Sequence, residues 1–566
     1  HIHAHAEHVT DEPLPCQQGD QTCPYASLWD FDPDDYDVLI GHYTHAHKPK
    51  VTVGRAVLLD EYPGNAYELQ LSADELARSV RAWLDSDEVH MPVESVADIL
   101  EHRDEPEVRA GVLAHYYDPN GAVRASSAKE VMGEHFGDVD RGGLDRAVDM
   151  QREVLSVRRD ESAVLGDDAA HAAAPLAVFG LLAASAESNG LERMHLPPVV
   201  TDDTVLDGGT SLYDRETGEL SILTPPPFIG ASAVVGLDGT ATCELWNTAL
   251  GMHMEHCQVL DDDERAEYLQ HGLGHRIVQT SPHIKPYNNP DHVHVESDAA
   301  LLDAIDELHG ESPDLISTRS ALGEYEQAGV SDLYGSALYY GNLLGSNQLA
   351  EQRVGAVIGS THYGDRWVQR WAAYRGHTVD EPDRSEHRGS SLTYGEFGDR
   401  LLQHMREHQV LQAALRFGRD GGGAVVYVHT AALPEWVPVA GQGRVVRTWS
   451  DGMRQVVDAL GQLDTATTAE LAEHSAVSIG ERQVLGHLRE LVEQGAVRPR
   501  HDPDDGRRLQ WVGGSLHRFN DHGVAELDPT PLDELSSSEV HEVARSIEYT
   551  WDFAKIRRDT SAYLLD

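Results

Sequence analysis

Ala56-Val57-Leu58-Leu59-Asp60-Glu61-Tyr62-Pro63-Gly64 sets an apolar run directly against two adjacent carboxylates and a Pro-Gly turn. The run reads as a strand that ends in acids. A second apolar run, Ala233-Val234-Val235-Gly236, leads into Leu237-Asp238-Gly239-Thr240-Ala241-Thr242. Further on, Gln412-Ala413-Ala414-Leu415-Arg416-Phe417-Gly418-Arg419 spells Q-x-x-x-R-x-x-R just ahead of another apolar strand at 424–428. Each of the three segments stands beside an apolar strand, and the alternation of strand and helix from about 250 to 438 suggests a parallel α/β domain.

The chain of 566 residues is too long for one core and should divide into about three to five domains. Its 44 basic residues face 95 acidic ones, a net charge of −51, and only Lys48, Lys50, Lys129, Lys285 and Lys555 are lysines. The acid excess runs through every segment while 40% of residues remain hydrophobic, which excludes a disordered acidic block. It reads as adaptation to high salt, where the Debye length shrinks to ~3 Å and self-repulsion is screened. A halophile's cytoplasm, that of a haloarchaeon, is the expected setting. Such a charge ordinarily argues against nucleic acid as a partner. On a salt-adapted surface that argument weakens, and local arginines become the informative positions.

There is no run of eighteen apolar residues, so no membrane span is expected; the stretch 169–184 is broken by His171 and Pro175. Four cysteines fit a reducing compartment and exclude a disulfide scaffold. The chain opens His1-Ile2-His3, without Met or a signal-peptide pattern, as a fragment would.

Residues 1–71 read as part of a first α/β unit, with strands at 37–41 and 55–60. Residues 72–224 read as a mostly helical insertion. Ser72 and Glu75 have capping-box spacing at its start, and short strands and turns fill 191–224. Pro225-Pro226-Pro227 marks a boundary, and 225–249 return to the first unit. Residues 250–440 alternate strand and helix, with strands at 314–318, 354–360 and 424–429. Residues 445–513 carry three helical patterns, then strand, turn (Asp504-Asp505-Gly506) and strand, an order that resembles a winged helix. A polar tail, 514–566, holds one more helix at 536–558.

Adjacent carboxylates at a strand end suit a Mg²⁺ holder, Asp60, beside a water-activating base, Glu61. The plain alternative is a charged strand end before a turn. Thr240 and Thr242 either link two sites through their hydroxyls or form an ordinary Thr-rich turn. Gln412, Arg416 and Arg419 suit bidentate contact with phosphates, since two guanidiniums three residues apart share a helical face. The alternative there is a solvated amphipathic helix.

In this order the segments resemble motifs II, III and VI of superfamily-2 helicases. Residues 314–319 are similar to motif IV, and 341–347 with 354–365 to motif V. Cys23-Pro24-Tyr25 ahead of the acids, and about 180 residues between motifs II and III, resemble the XPD-like layout across 16–440, with the insertion unmatched. The resemblance implies two RecA-like parallel-sheet domains with a helical insertion, followed by the winged helix. It implies ATP and Mg²⁺ between the sheets and DNA or RNA across their tops. Asp60, Glu61, Gln412, Arg416 and Arg419 would serve catalysis, and Thr240 and Thr242 coupling. Thr318, Arg319, Gly345, Ser346 and Asn347 would meet nucleic acid. Cys16 and Cys23 would be two of four ligands to an iron–sulfur cluster, or would bind zinc; two ordinary thiols are the alternative.

The chain departs from the family at Tyr62-Pro63, at Leu415, and in having no G-x-x-x-x-G-K-[ST]. Either that Walker A segment precedes His1 or hydrolysis has been lost.

The helical pattern at 478–493 stacks Ile479, Val484, Leu485, Leu488, Leu491 and Val492 on one face, with Arg482, Gln483, His487 and Arg489 opposite. Arg498, Arg500, Arg507 and Arg508 cluster on the hairpin. These suit a duplex, with Arg482, Arg507 and Arg508 as contacts. Asp502, Asp504 and Asp505 among them also suit a packing module. The rival function is a non-enzymatic winged-helix DNA-binding regulator with a degenerate NTPase-like region.

Overall fold

The computed structural model describes residues 31–47, 49–84, 93–105, 186–195, 209–226, 230–343, 346–380, 392–448, 450–493, 496–501, 508–513 and 523–527. Isolated residues between 177 and 206, and at 228 and 382, are also described. Cys16, Cys23, Gly345, Arg507 and the expected helix at 536–558 lie outside the described residues.

The described chain opens with β1 (Ala56–Asp60), β2 (Glu68–Leu71), α1 (Ala73–Leu84) and α2 (Val96–His102). The Ser72–Glu75 capping box forms: the Ser72 amide donates to Glu75 Oε2 at 2.8 Å, and the Glu75 amide donates back to Ser72 Oγ at 3.4 Å. In the described part of 72–224, the two helices are followed by strands from 186 on, over the stretch where short strands and turns were expected. β3 (Ala186–Ser188), β4 (Leu191–His195), β5 (Val199–Val200), β6 (Val205–Leu206), β7 (Thr210–Asp214) and β8 (Leu220–Leu223) follow. Five strands form an antiparallel sheet in the order β2-β8-β7-β4-β3. β7 and β8 are buried at every position. Arg103 after α2 grips Glu192 of β4 in a buried bidentate pair at 2.6 and 2.8 Å.

β9 (Ala233–Leu237) then returns to lie parallel to β1, pairing Ala56 with Ala233 and Asp60 with Leu237. Runs near 56–60 and 229–242 therefore share one parallel sheet across the insertion. Val57, Leu59 and Val234 face a core that includes Trp246 of α3 (Cys243–Leu250). Gly236 is needed there, because a Cβ would lie 2.7 Å from the Trp246 ring. The opposite face is open, with Leu58 and Leu237 exposed. The expected strand at 37–41 joins no ladder among the described residues. It runs alongside β1 instead, with Asp37 O near Arg55 and the Tyr43 hydroxyl at Asp60.

After α4 (Asp262–Glu267) the chain builds a second, all-parallel sheet from β10 (His275–Gln279), β11 (Asp314–Ser317), β12 (Ala337–Tyr339), β13 (Val354–Ile358), β14 (Ala424–His429) and β15 (Val439–Gln442). Its order is β12-β11-β13-β14-β10-β15. Period-two alternation feeds two cores: Ile277, Ile316, Val357 and Val426 on one face, Val278, Leu315, Ala356 and Tyr427 on the other. α5 (Val295–His309) and α6 (Arg319–Ala328) follow β10 and β11 as crossovers. The protein is thus α/β, with two separate parallel sheets.

Between β13 and β14 the chain leaves this sheet. α7 (Asp365–Tyr374) and α8 (Gly395–Gln403) place Trp367, Trp371, Leu401 and Leu402 in the core that holds Leu59 and Trp246. That core is therefore shared across the expected boundary at 249/250. α8 continues through a π-turn, His404–His408, into α9 (Gln409–Ala414), whose Val410 and Leu411 belong to the second sheet's core. One helical rod thus spans both cores.

β16 (Arg444–Thr448) pairs antiparallel with β20 (Gly523–Glu526). Between them sit α10 (Asp451–Leu463), β17 (Thr465–Ala466), α11 (Thr468–Ala472), α12 (Glu481–Glu493), β18 (Arg498–His501) and β19 (Leu509–Val512). Their three strands order β17-β19-β18 over a core of Val456, Leu460, Leu471, Val484, Leu488 and Trp511.

Gly355 at the centre of the second sheet lies against Phe417, where a Cβ would come within 2.6 Å of the ring. Gly355→Ala should cost about 1–3 kcal/mol of stability in denaturant unfolding at high salt, since both groups are fully packed. Unchanged stability would show that Phe417 yields without cost.

Candidate active site

The carboxyl ends of β1 and β9 face the helical rod from the second sheet. Asp60 closes β1 with an exposed side chain. Glu61 follows in the left-handed region, φ 66°, and its amide donates to Leu237 O at 2.7 Å. A non-glycine residue held there marks backbone that its surroundings over-determine, a condition common at functional sites. Tyr62, next in line, buries its ring edge-on to Trp246, Trp371 and His404. Tyr62-Pro63 therefore anchors the acidic turn to the core.

On β9's side, Asp238 shapes the turn. Its Oδ1 accepts from the Thr240 amide at 2.8 Å and its Oδ2 from Trp246 Nε1 at 3.0 Å. Thr240 Oγ1 in turn accepts from Gln412 Nε2 at 2.8 Å. Thr242 Oγ1 lies 3.3 Å from both His404 Nδ1 and His408 Nδ1, on the inner wall of the π-turn. π-turns inside helices are rare and concentrate at functional sites. Arg265 of α4 reaches Gly239 O at 3.1 Å and stacks 3.9 Å over Trp436, tying the same turn to the second body.

Arg416 Nη2 stands 3.6 Å from Glu61 Oε1. Its side chain is 3% exposed, and its buried Nε has no hydrogen-bond partner. Burial lowers the guanidinium's pKa, with Arg419 adding to the effect and Glu61 opposing it. The arginines do not share a helical face as expected. α9 ends at Ala414, so both lie in the turn beyond it. Arg419 is exposed there, its Nε donating to Leu415 O at 3.0 Å. Gln412, Arg416, Thr240, Thr242 and Glu61 are thus brought together, while Arg419 stands at the rim.

The other expected residues lie apart from this cluster. Thr318 caps α6, accepting from the Ala321 amide at 3.1 Å and donating to Tyr287 O at 2.6 Å. Arg319 sits 5.3 Å over the Tyr339 ring at the carboxyl edge of the second sheet. Ser346 and Asn347 form turns, with Leu343 O and the Ala350 amide respectively. Arg482 is exposed on α12. Arg508 is ion-paired to Glu470 at 2.6 Å, and Glu470 also closes the capping box of α11. Among the described residues no group of three or more His, Cys, Asp or Glu is arranged to hold a metal.

Sequence reasoning missed Tyr43, Asp238, His404 and His408, and a second polar centre. At the carboxyl edge of the second sheet, Lys285 Nζ meets Asp298 Oδ1 at 3.2 Å, Tyr287 OH at 3.2 Å and His429 Nε2 at 2.6 Å. Burial lowers the Lys285 pKa and raises that of Asp298. Lys285, one of only five lysines in an arginine-dominated chain, was the available signal.

The chain matches no protein-family model and no curated protein. No described helix is long and apolar enough to cross a membrane.

Burial pushes His404 down to about 3 and His408 down to about 4 from an ordinary 6.5, with Asp238 and Arg265 acting in opposite senses on His408. Above pH 6.5 both folded and unfolded rings are neutral and the pair contributes no slope. As pH falls from there toward 4, the unfolded chain takes up protons that the folded rings refuse, so stability drops by up to about 1.4 kcal/mol per pH unit for each ring. The double variant His404→Gln/His408→Gln should therefore lose stability less steeply than wild type over that range, by about 1–2 kcal/mol per pH unit. Parallel slopes would contradict the burial of two neutral imidazoles.

Proposed function

We propose that the chain is an ATP-dependent nucleic-acid helicase or translocase of the superfamily-2, XPD-like type, acting in a halophile's cytoplasm. The supporting observation is the joining of three distant segments in one cleft: Gln412 to Thr240 at 2.8 Å and Arg416 to Glu61 at 3.6 Å. On this reading the two parallel sheets are RecA-like domains, and motifs II, III and VI line the space between them.

The residues present suit the metal and terminal-phosphate end of a nucleoside triphosphate. Mg²⁺ commonly takes one or two protein carboxylates, with water and phosphate oxygens completing its shell. Asp60 offers such an oxygen donor at a strand end. Arg416 offers a buried guanidinium with an unpartnered Nε, suited to an anion. ATP with Mg²⁺ supplies the phosphoryl bond whose hydrolysis drives strand movement. Glu61 would accept the proton of the attacking water, and Arg416 would carry positive charge to the phosphate as Glu61 releases it. Thr240 and Thr242 would pass that change to Gln412, His404 and His408. Nucleic acid, DNA or RNA, would lie across Thr318, Arg319, Ser346 and Asn347. The reading requires a phosphate-cradling loop, and no G-x-x-x-x-G-K-[ST] sequence occurs in the 566 residues.

The second reading, a winged-helix DNA-binding regulator, draws support from β18. There Arg498 and Arg500 are exposed on an edge strand, while Arg508 is already paired.

The protein should hydrolyse ATP in molar salt, faster with single-stranded nucleic acid present. Arg416→Ala should cut kcat at least about 1000-fold while nucleic-acid binding persists. Full turnover in that variant would remove Arg416 from catalysis, and no hydrolysis in the wild type would remove the helicase reading.

If the C-terminal module holds duplex DNA, Arg498→Ala with Arg500→Ala should weaken binding and lower the salt slope by about 1–2. Equal affinity and slope would assign the module to packing.

A further inference from the structure

The conformation of the acidic turn needs a cause. Glu61 carries a side chain at φ 66°, a region that L residues rarely adopt, and in that conformation its carboxylate stands 3.6 Å from Arg416 Nη2. Its amide is held by Leu237 O on one side. On the other side stands Tyr43, at the start of a short 3-10 turn, Tyr43–His47. Its hydroxyl donates to Asp60 O and lies 3.3 Å from Glu61 O. Tyr43 is itself fixed: its ring packs on the core beneath β1, and its carbonyl accepts from the Tyr67 hydroxyl at 3.3 Å.

We propose that Tyr43 is a positioning residue, which holds the Asp60–Glu61 peptide in its left-handed turn and so aims the two neighbouring carboxylates in different directions. Asp60 is left open toward solvent while Glu61 turns toward Arg416. Burial and the nearby carboxylates of Glu61, Asp60 and Asp238 all raise the phenol's pKa, so the hydroxyl keeps its proton and remains a donor. Without that donor, two adjacent carbonyls at the end of an edge strand lose their clamp, and Glu61 relaxes toward negative φ. The contribution to catalysis rests on the helicase reading. The contribution to the turn does not.

The test uses Tyr43→Phe, which keeps the ring and removes only the donor. Hydrogen exchange of the peptide spanning the Glu61 amide should accelerate about tenfold, while peptides from β10 and β14 exchange at the wild-type rate. In a Glu61→Gly background, where glycine takes positive φ without strain, adding Tyr43→Phe should accelerate exchange by no more than about twofold. Wild-type exchange in Tyr43→Phe would overturn the proposal. So would an equal acceleration in the glycine background, or acceleration spread over the second sheet. On the active protein, Tyr43→Phe should lower kcat for ATP with KM unchanged, and a wild-type kcat would count against its contribution to catalysis. If the wild type hydrolyses nothing, only the helicase reading falls, and the exchange measurements still decide the role of Tyr43.

Discussion

The parallel pairing of β1 with β9 is the constraint on which the site depends. Parallel neighbours need a crossover, and here the crossover is an insertion that builds its own five-stranded antiparallel sheet. The register from Ala56–Ala233 to Asp60–Leu237 sets the acidic turn and the Asp238 turn side by side. A slip of one residue would send Leu59 outward and Leu58 into the core, taking the carboxylates out of line with Arg416. Trp246 guards that register by filling the space above Gly236 while its indole nitrogen holds Asp238.

The rod from α8 through the π-turn to α9 connects this constraint to the second sheet. Its first half is held by Trp371, Leu401 and Met405, and its second half by Val410, Leu411 and Phe417. A packed helix cannot stretch, so relative movement of the two sheets must be absorbed at its ends or at the π-turn itself. There the backbone carries one residue more than an α-turn, and Thr242 touches both histidines. The network around Lys285 stiffens the far side by joining the ends of β10 and β14 to α5.

Much of the strand framework was legible because parallel strands buried on both faces leave uninterrupted aliphatic runs. β11, β13 and β14 are such runs, whereas β1 and β9 are aliphatic runs with one face open. The 37–41 segment has the same composition but no ladder, because strand formation needs a partner that composition does not supply. The short strands of 191–224 were legible, but not their joining with β2 into one antiparallel sheet, because that pairing links segments about 150 residues apart. The arginine pair failed for a local reason: the helix stops at Ala414, so three-residue spacing no longer means a shared face. Arg508 was read as free because its partner, Glu470, lies 38 residues away. Tyr43, His404 and the Lys285 centre are tertiary facts, made by contacts between residues more than a dozen positions apart.

The β16–β20 ribbon has a further consequence. Thr448 pairs with Gly523, so the chain leaves for the C-terminal module and comes back at adjacent points. Val445 and Leu527 seat the ribbon on the core beneath α5, whose Asp298 belongs to the Lys285 centre. The module is therefore a cassette mounted on a two-stranded stalk rather than a bead on a tether. A tether lets its cargo wander; a stalk delivers torque. Both of the cassette's connections reach the second sheet's core beside α5.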